Sequence, residues 1–355
     1  MVSLRRADGA GLELDVALLA GFRFGCRPDC GLCCFTSPRL EGDDERRLRA
    51  VAPESRIVRS DRVDRIAARP DGGACQFLVG LHCSVHVARP APCREFPISV
   101  HVGQRLQATG VLSCPGLALD PVERFGDRTP DEEPEGLGTE LASVHSRITP
   151  ATERRRLEAE RRRRRIARIL EEDGRWVSEE EVRSDLRGTG LIPDEAEFSP
   201  QQPPEPDDGL EYLPLYFDGR SGPVALGRSL GGWEARELAA EGGSRPVGVA
   251  VPPDRRPELD PSAERLLAGY LRYWLARDCF LAAVHLEMPT RPERSVTEAA
   301  LRDLHAIASD VMARGAFRSK LLGEDGVRLT REAIALGIRS TDQDWLDRPT
   351  WGSRL

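Results

Sequence analysis

Eight of the nine cysteines fall between Cys26 and Cys114, beginning with the run FGCRPDCGLCC. They are Cys26, Cys30, Cys33, Cys34, Cys75, Cys83, Cys93 and Cys114, while Cys279 stands alone far downstream. Thiols this dense are either oxidised in pairs or bound to metal as thiolates. Composition favours metal. Disulfide-dense proteins are usually short, whereas 355 residues can bury one or two cores without staples. The opening MVSLRRADGAGLELDVALLAGFRF has no apolar stretch longer than VALLAG, so neither a signal peptide nor a membrane span is expected. The expected compartment is a reducing cytoplasm, where structural disulfides are rare.

Thiolates repel one another, so a loop that gathers four of them calls for a cation at its centre. In Cys26-x3-Cys30-x2-Cys33-Cys34, the residues Gly25, Pro28 and Gly31 bend or loosen the backbone into a knuckle. Neighbouring side chains usually diverge, so Cys33 and Cys34 are expected in different ligand sets. Downstream, CQFL and CSVH are strand-like pieces that would bring Cys75 and Cys83 together at a hairpin base. Pro90 and Pro92 start a single turn presenting Cys93, and a second hairpin, turning near Gly103 and Gln104, delivers Cys114. Eight thiolates could build one four-sulfur site with spectators or two complete sites.

Arg89 and Arg94 flank Cys93, close enough to offset the negative charge of a four-thiolate centre and raise a cluster's potential. His82, His86 and His101 are candidate nitrogen ligands, His86 the best placed, although eight sulfurs suffice. A surplus of thiolates with no clear histidine pairing suits an iron–sulfur cluster, with zinc as the alternative.

The run FGCRPDCGLCC, followed by DGGACQFL, CSVHVARPAPCREFP and LSCPGLAL, resembles the YkgJ-type cysteine-cluster proteins, the CxxCxxCC zinc- or iron-chelating domain. The resemblance covers about Phe24 to Leu119 and departs from the pattern in the three-residue gap between Cys26 and Cys30. It implies a metal, zinc or iron–sulfur, at these cysteines. LSCPGLAL and ERLLAGYLRYWLARDCF are also similar, more loosely, to the FliB flagellin lysine N-methylase branch. That branch implies an iron–sulfur cluster acting with S-adenosylmethionine on a protein substrate. A zinc-binding module that contacts a protein partner is the non-enzymatic counterpart.

The expected fold is α+β. A small metal-centred domain with short hairpins and helices (21–120) precedes a linker (121–150), a charged helical segment (151–198) and a mixed α+β region (210–346). The Pro/Gly-rich stretches Gly126 to Gly138 and Ser199 to Gly209 read as exposed linkers. ATERRRLEAERRRRRIARILEEDGR predicts a helix with Ile166, Ile169 and Leu170 on one face, and Glu158–Arg162 and Glu160–Arg164 spaced for ion pairs. Ser178 and Glu181 are spaced as a capping box for a second helix stopping near Gly188.

Further on, EYLPLYFDGRSGPVALGRSL predicts two strands, GGWEARELAAEGG a short helix and RPVGVAVPP a strand. Leu266, Leu267, Tyr270, Leu271, Trp274 and Leu275 recur at helical steps in one long buried helix, with two more helices after it. Cys279, His285 and His305 lie on these helices and read as packing residues. The formal charge of −7 argues against nucleic acid as a partner. The five arginines from Arg161 to Arg165 wrap around a helix rather than forming a stripe.

Overall fold

The computed structural model describes residues 2–3, 13–26, 30–34, 38–60, 63–69, 75–79, 82–103, 105–125, 132–200, 213–215, 224–229, 232–238, 244–251, 253–346 and 350–351. Within them the expected α+β character is present. Strands β1 (Val2–Ser3) and β2 (Glu13–Asp15) lead to helix α1 (Asp44–Val51), the hairpin β3 (Ile57–Ser60) and β4 (Val63–Ile66), and the hairpin β5 (Leu78–Val79) and β6 (His82–Cys83). Helix α2 (Ala91–Glu95) precedes β7 (Ile98–Val102) and β8 (Leu106–Gly110). Four helices follow: α3 (Asp120–Glu123), α4 (Gly138–Arg147), α5 (Pro150–Glu172) and α6 (Glu179–Asp185).

A meander of β9 (Leu213–Leu215), β10 (Val224–Ser229), β11 (Gly232–Leu238) and β12 (Ser244–Ala250) comes next. Last are β13 (Glu258–Leu259), α7 (Pro261–Ala276), α8 (Asp278–Glu287), α9 (Val296–Leu321), β14 (Arg328–Leu329) and α10 (Arg331–Leu346).

Among the described residues, two apolar clusters of unequal size bear on the cysteines. The larger runs from Leu14 to Leu346 and takes in the β7–β8 hairpin, Cys114 and helices α7 to α10. The smaller holds, among the described residues, Leu48, Ala52, Ile66, Cys75, Phe77 and Val85 as buried members, with Cys34, Leu40 and Cys83 packed against it, and Ala67, Leu78, Ala88 and Ala91 of the same stretch are buried as well. Among the described residues this cluster is a small fraction of the larger one, and a lobe with so few buried apolar groups is marginal by itself. The region from 21 to 120 is therefore split: the segment around α1 to β6 is a lobe on the large core, whereas Cys114 is rooted in that core.

A buried ion pair anchors the junction. The chain turns extended at Arg277, so the helix expected to run through this stretch is broken into α7 and α8. Arg277 is fully buried, stacks its guanidinium 4.2 Å from the Trp274 ring centroid and pairs with Asp342 of α10 at 2.7 Å. It also donates to the Gly110 carbonyl at 2.8 Å, while Asp342 accepts from the Leu112 N–H at 2.7 Å. Satisfying those groups outweighs helix continuity at one residue.

Three other expectations change. The segment 232–238 is a strand, not a helix: β11 pairs antiparallel with β10 and β12. Ala235 is buried between Glu234 and Arg236, which pair with each other at 2.7 Å across the two-residue step of a strand. Residues 121–150 are not simply a linker, since α4 forms there and Glu135 bonds to Phe22 and Phe24. Residues 126–131 of the first proposed linker and 201–209 of the second lie outside the described residues.

On α5 the Glu160–Arg164 pair forms, but Arg162 donates to the Thr350 carbonyl at 3.3 Å and Ile169 is exposed. The Ser178–Glu181 capping box is present. His285 is buried with its ring nitrogens on the Leu281 and Val177 carbonyls, and His305 and Cys279 are buried as well, so all three pack as expected.

Candidate metal centre

The knuckle closes because Gly31 adopts φ +58°, the left-handed conformation that glycine reaches without a Cβ penalty. The Cys34 N–H then reaches the Gly31 carbonyl at 2.9 Å and Leu32–Cys34 forms a 3₁₀ turn. Successive side chains in a 3₁₀ turn are about 120° apart rather than opposed. That geometry lets Cys33 and Cys34 line one cavity rather than face opposite ways. Backbone ties place the other segments. The Cys75 N–H donates to the Cys34 carbonyl at 2.6 Å, and Gly25 N–H to the Gly116 carbonyl at 3.0 Å. An added Cβ at Gly116 would stand 2.5 Å from the Gly25 carbonyl oxygen, so this approach requires glycine.

The β5–β6 ladder pairs Leu78 with Cys83, so Cys75 sits a turn before the hairpin rather than at its base. Its carbonyl accepts from the Leu78 N–H at 3.0 Å, and the turn carries its sulfur to the same cavity as Cys83. Pro90 and Pro92 frame α2 as expected, and Cys93 rides on it. Asp44, buried at the start of α1, fixes this helix by accepting from the Ala91 N–H at 2.9 Å. The β7–β8 hairpin closes with Val102 opposite Leu106; Gln104 lies outside the described residues, as do Arg27 to Asp29 of the knuckle.

Six thiols, those of Cys26, Cys33, Cys34, Cys75, Cys83 and Cys93, line a cavity of about 380 Å³ whose other walls include Ile66, Phe77, Val85 and Pro90. His82, His86 and Arg89 complete it, whereas His101 is buried beneath the β7–β8 turn, its Nε2 beside Gly103. Cys30 and Cys114 stand outside the lining but within electrostatic reach of each other. Among the described residues, no three Cys, His, Asp or Glu side chains close on a single ion position. The sulfurs ring a space rather than a point.

Their electrostatics are uneven. Cys34 shares thiol hydrogen bonds with Cys33 and Cys83, which hold its own proton firmly and raise its pKa. The acceptors move the other way: Cys33 is lowered, chiefly by the bond from Cys34, and Cys83 is lowered to about 6, by that same bond first and then by the Val85 N–H and Arg89. Burial pushes Cys93 and Cys75 up, and takes Cys114 up to about 12. Of the two flanking arginines only Arg89 faces the thiols. Arg94 turns to the Arg89 carbonyl and lies 3.9 Å from Asp44.

A depressed thiol pKa means that the thiolate is present above that pH and is lost as pH falls through it. Cys83 and Cys33 are therefore the thiols of this cavity that give up their protons most readily.

Two positioning devices escape sequence reasoning. Arg339 of α10 donates to the Leu112 carbonyl at 2.9 Å, to Leu117 at 2.8 Å and to Cys114, clamping the loop that carries the last cysteine. Glu95, beside Cys93, pairs with Arg147 of α4, which also holds Glu41. No local pattern marks either, since the partners are separated by 52 to 227 residues.

Residues 25–115 match the family model described as "CxxCxxCC: Putative zinc- or iron-chelating domain". The matched segment holds all eight clustered cysteines and supports metal binding. No curated protein and no solved structure matches the chain.

Proposed function

We propose that the thiolates lining this cavity hold an iron–sulfur centre with a structural and redox role. The observation that carries the reading is the set of six thiols around one space, beside a small apolar cluster. A lobe with little apolar burial gains from a cross-link, and metal binding to thiolates contributes folding free energy directly. When bound, the centre would supply that cross-link and one-electron chemistry.

Cys26, Cys33, Cys34, Cys75, Cys83 and Cys93 are the ligand pool on the cavity, with Cys30 and Cys114 at its edge. Six sulfurs spread around about 380 Å³ suit a multi-iron cluster, which thiolates alone can hold. A lone zinc takes four ligands at about 2.3 Å and would leave most of that space empty. Arg89 opposes the negative charge of such a centre, and the apolar walls restrict water.

Protein purified without oxygen is expected to be brown, to contain iron and acid-labile sulfide, and to lose its visible absorption on dithionite addition. Colourless protein with stoichiometric zinc would overturn the iron–sulfur assignment and leave a zinc-held lobe. Folded, metal-free protein would overturn both.

A further inference from the structure

Helix α7 faces two environments. Leu266, Leu267, Tyr270, Leu271 and Trp274 are buried in the core, while Glu264, Ala268, Arg272 and Ala276 recur every fourth residue along a second cavity of about 890 Å³. That volume falls within the range of small-molecule sites, roughly 300–1,000 Å³. Phe125, Ile192 and Leu275 give it an apolar wall, and Arg183, Arg187, Arg256 and Arg272 bring four guanidinium groups to it.

Arg183 is already used, by the Leu275 carbonyl at 3.1 Å and by Asp278 at 2.8 Å. Arg187, Arg256 and Arg272 have no hydrogen-bond or ion-pair partner among the described residues. The Nε of Arg256 is moreover buried without an acceptor. An unmet buried donor is costly, and so are like charges gathered on one cavity; an entering anion relieves both. The carboxylates present do not do so. Asp194 is occupied by the Ala196 and Glu197 N–H groups, at 2.9 and 3.0 Å, and Glu264 is exposed and unengaged among the described residues.

We propose that this cavity binds a small molecule bearing a phosphate chain on an apolar or aromatic body. A single carboxylate would satisfy one guanidinium; three free ones match several oxyanions, which arginine engages bidentately. The wall of Phe125, Ile192 and Leu275 takes the body. This site is independent of the thiol-lined cavity, and neither proposal needs the other.

Calorimetric titration of the full-length protein with ADP and with pyrophosphate, at about 0.15 M salt to screen exposed charge, tests it. Both probes should bind saturably, ADP more tightly. Arg272→Glu and Arg256→Gln should each weaken ADP about tenfold or more, and Glu264→Gln should tighten it by removing a competing carboxylate. Arg168→Glu, on the exposed face of α5, makes the same charge change as Arg272→Glu and should leave affinity unaltered. Absence of saturable binding by either probe would overturn the site. So would an Arg168→Glu loss equal to that of Arg272→Glu, which would mark diffuse charge attraction.

Discussion

Cys33→Ala and Cys93→Ala are each expected to purify with little metal and with the lobe from α1 to α2 unfolded, while Cys279→Ala retains both metal and fold. Cys33 and Cys93 face the thiol-lined cavity, one in the knuckle and the other on α2. Losing either removes a proposed ligand and with it the attachment between the two segments. The small apolar cluster beside the cavity is not expected to compensate, because structural metal binding is worth about 10 kcal/mol or more. Cys279 is a small buried group on α8 within the large core, and its truncation should cost about 1 kcal/mol. Metal per chain, circular dichroism and limited proteolysis of residues 38–95 read the three variants. An empty site in Cys279→Ala alone would show that the ligands have been misassigned.

Asp342→Ala should lower stability by about 3–5 kcal/mol, the typical cost of stranding a buried charge. The substitution leaves the fully buried Arg277 guanidinium without its counter-ion and removes the acceptor of the Tyr270 hydroxyl at 3.2 Å and of the Leu112 N–H at 2.7 Å. Replacing the pair together, as Arg277→Met with Asp342→Leu, should recover a large part of the loss, since no charge then remains to be desolvated. Urea unfolding with a common m-value distinguishes the two. A cost below about 1 kcal/mol for Asp342→Ala would mean that water reaches Arg277. Because Leu112 opens the loop clamped by Arg339, the same variant should also loosen Cys114.

The chemistry was legible because it is written in residue type and close spacing. Cysteine density, the glycine at position 31 and the prolines before Cys93 act within a few residues, where backbone sterics decide the outcome. Amphipathic α7 was visible for a similar reason: its apolar stripe repeats at the helical period. The strand β11 was not. Its residues suit a helix, and only the ladders to β10 and β12 select the extended form. Nor could adjacency in sequence reveal that Cys33 and Cys34 share a cavity, because a 3₁₀ turn rotates what a strand would oppose.

From the amino-acid order alone come the candidate donor atoms, their grouping near the amino end and the helices that flank them. The tertiary structure decided which sulfurs meet, that Arg89 rather than Arg94 faces them, and that Cys114 is rooted in a different core from Cys75. The difference is one of range. Steric and hydrogen-bonding preferences between near neighbours are fixed by residue type, whereas Arg339 reaching the Cys114 loop and Asp342 meeting Arg277 depend on the burial of the whole chain.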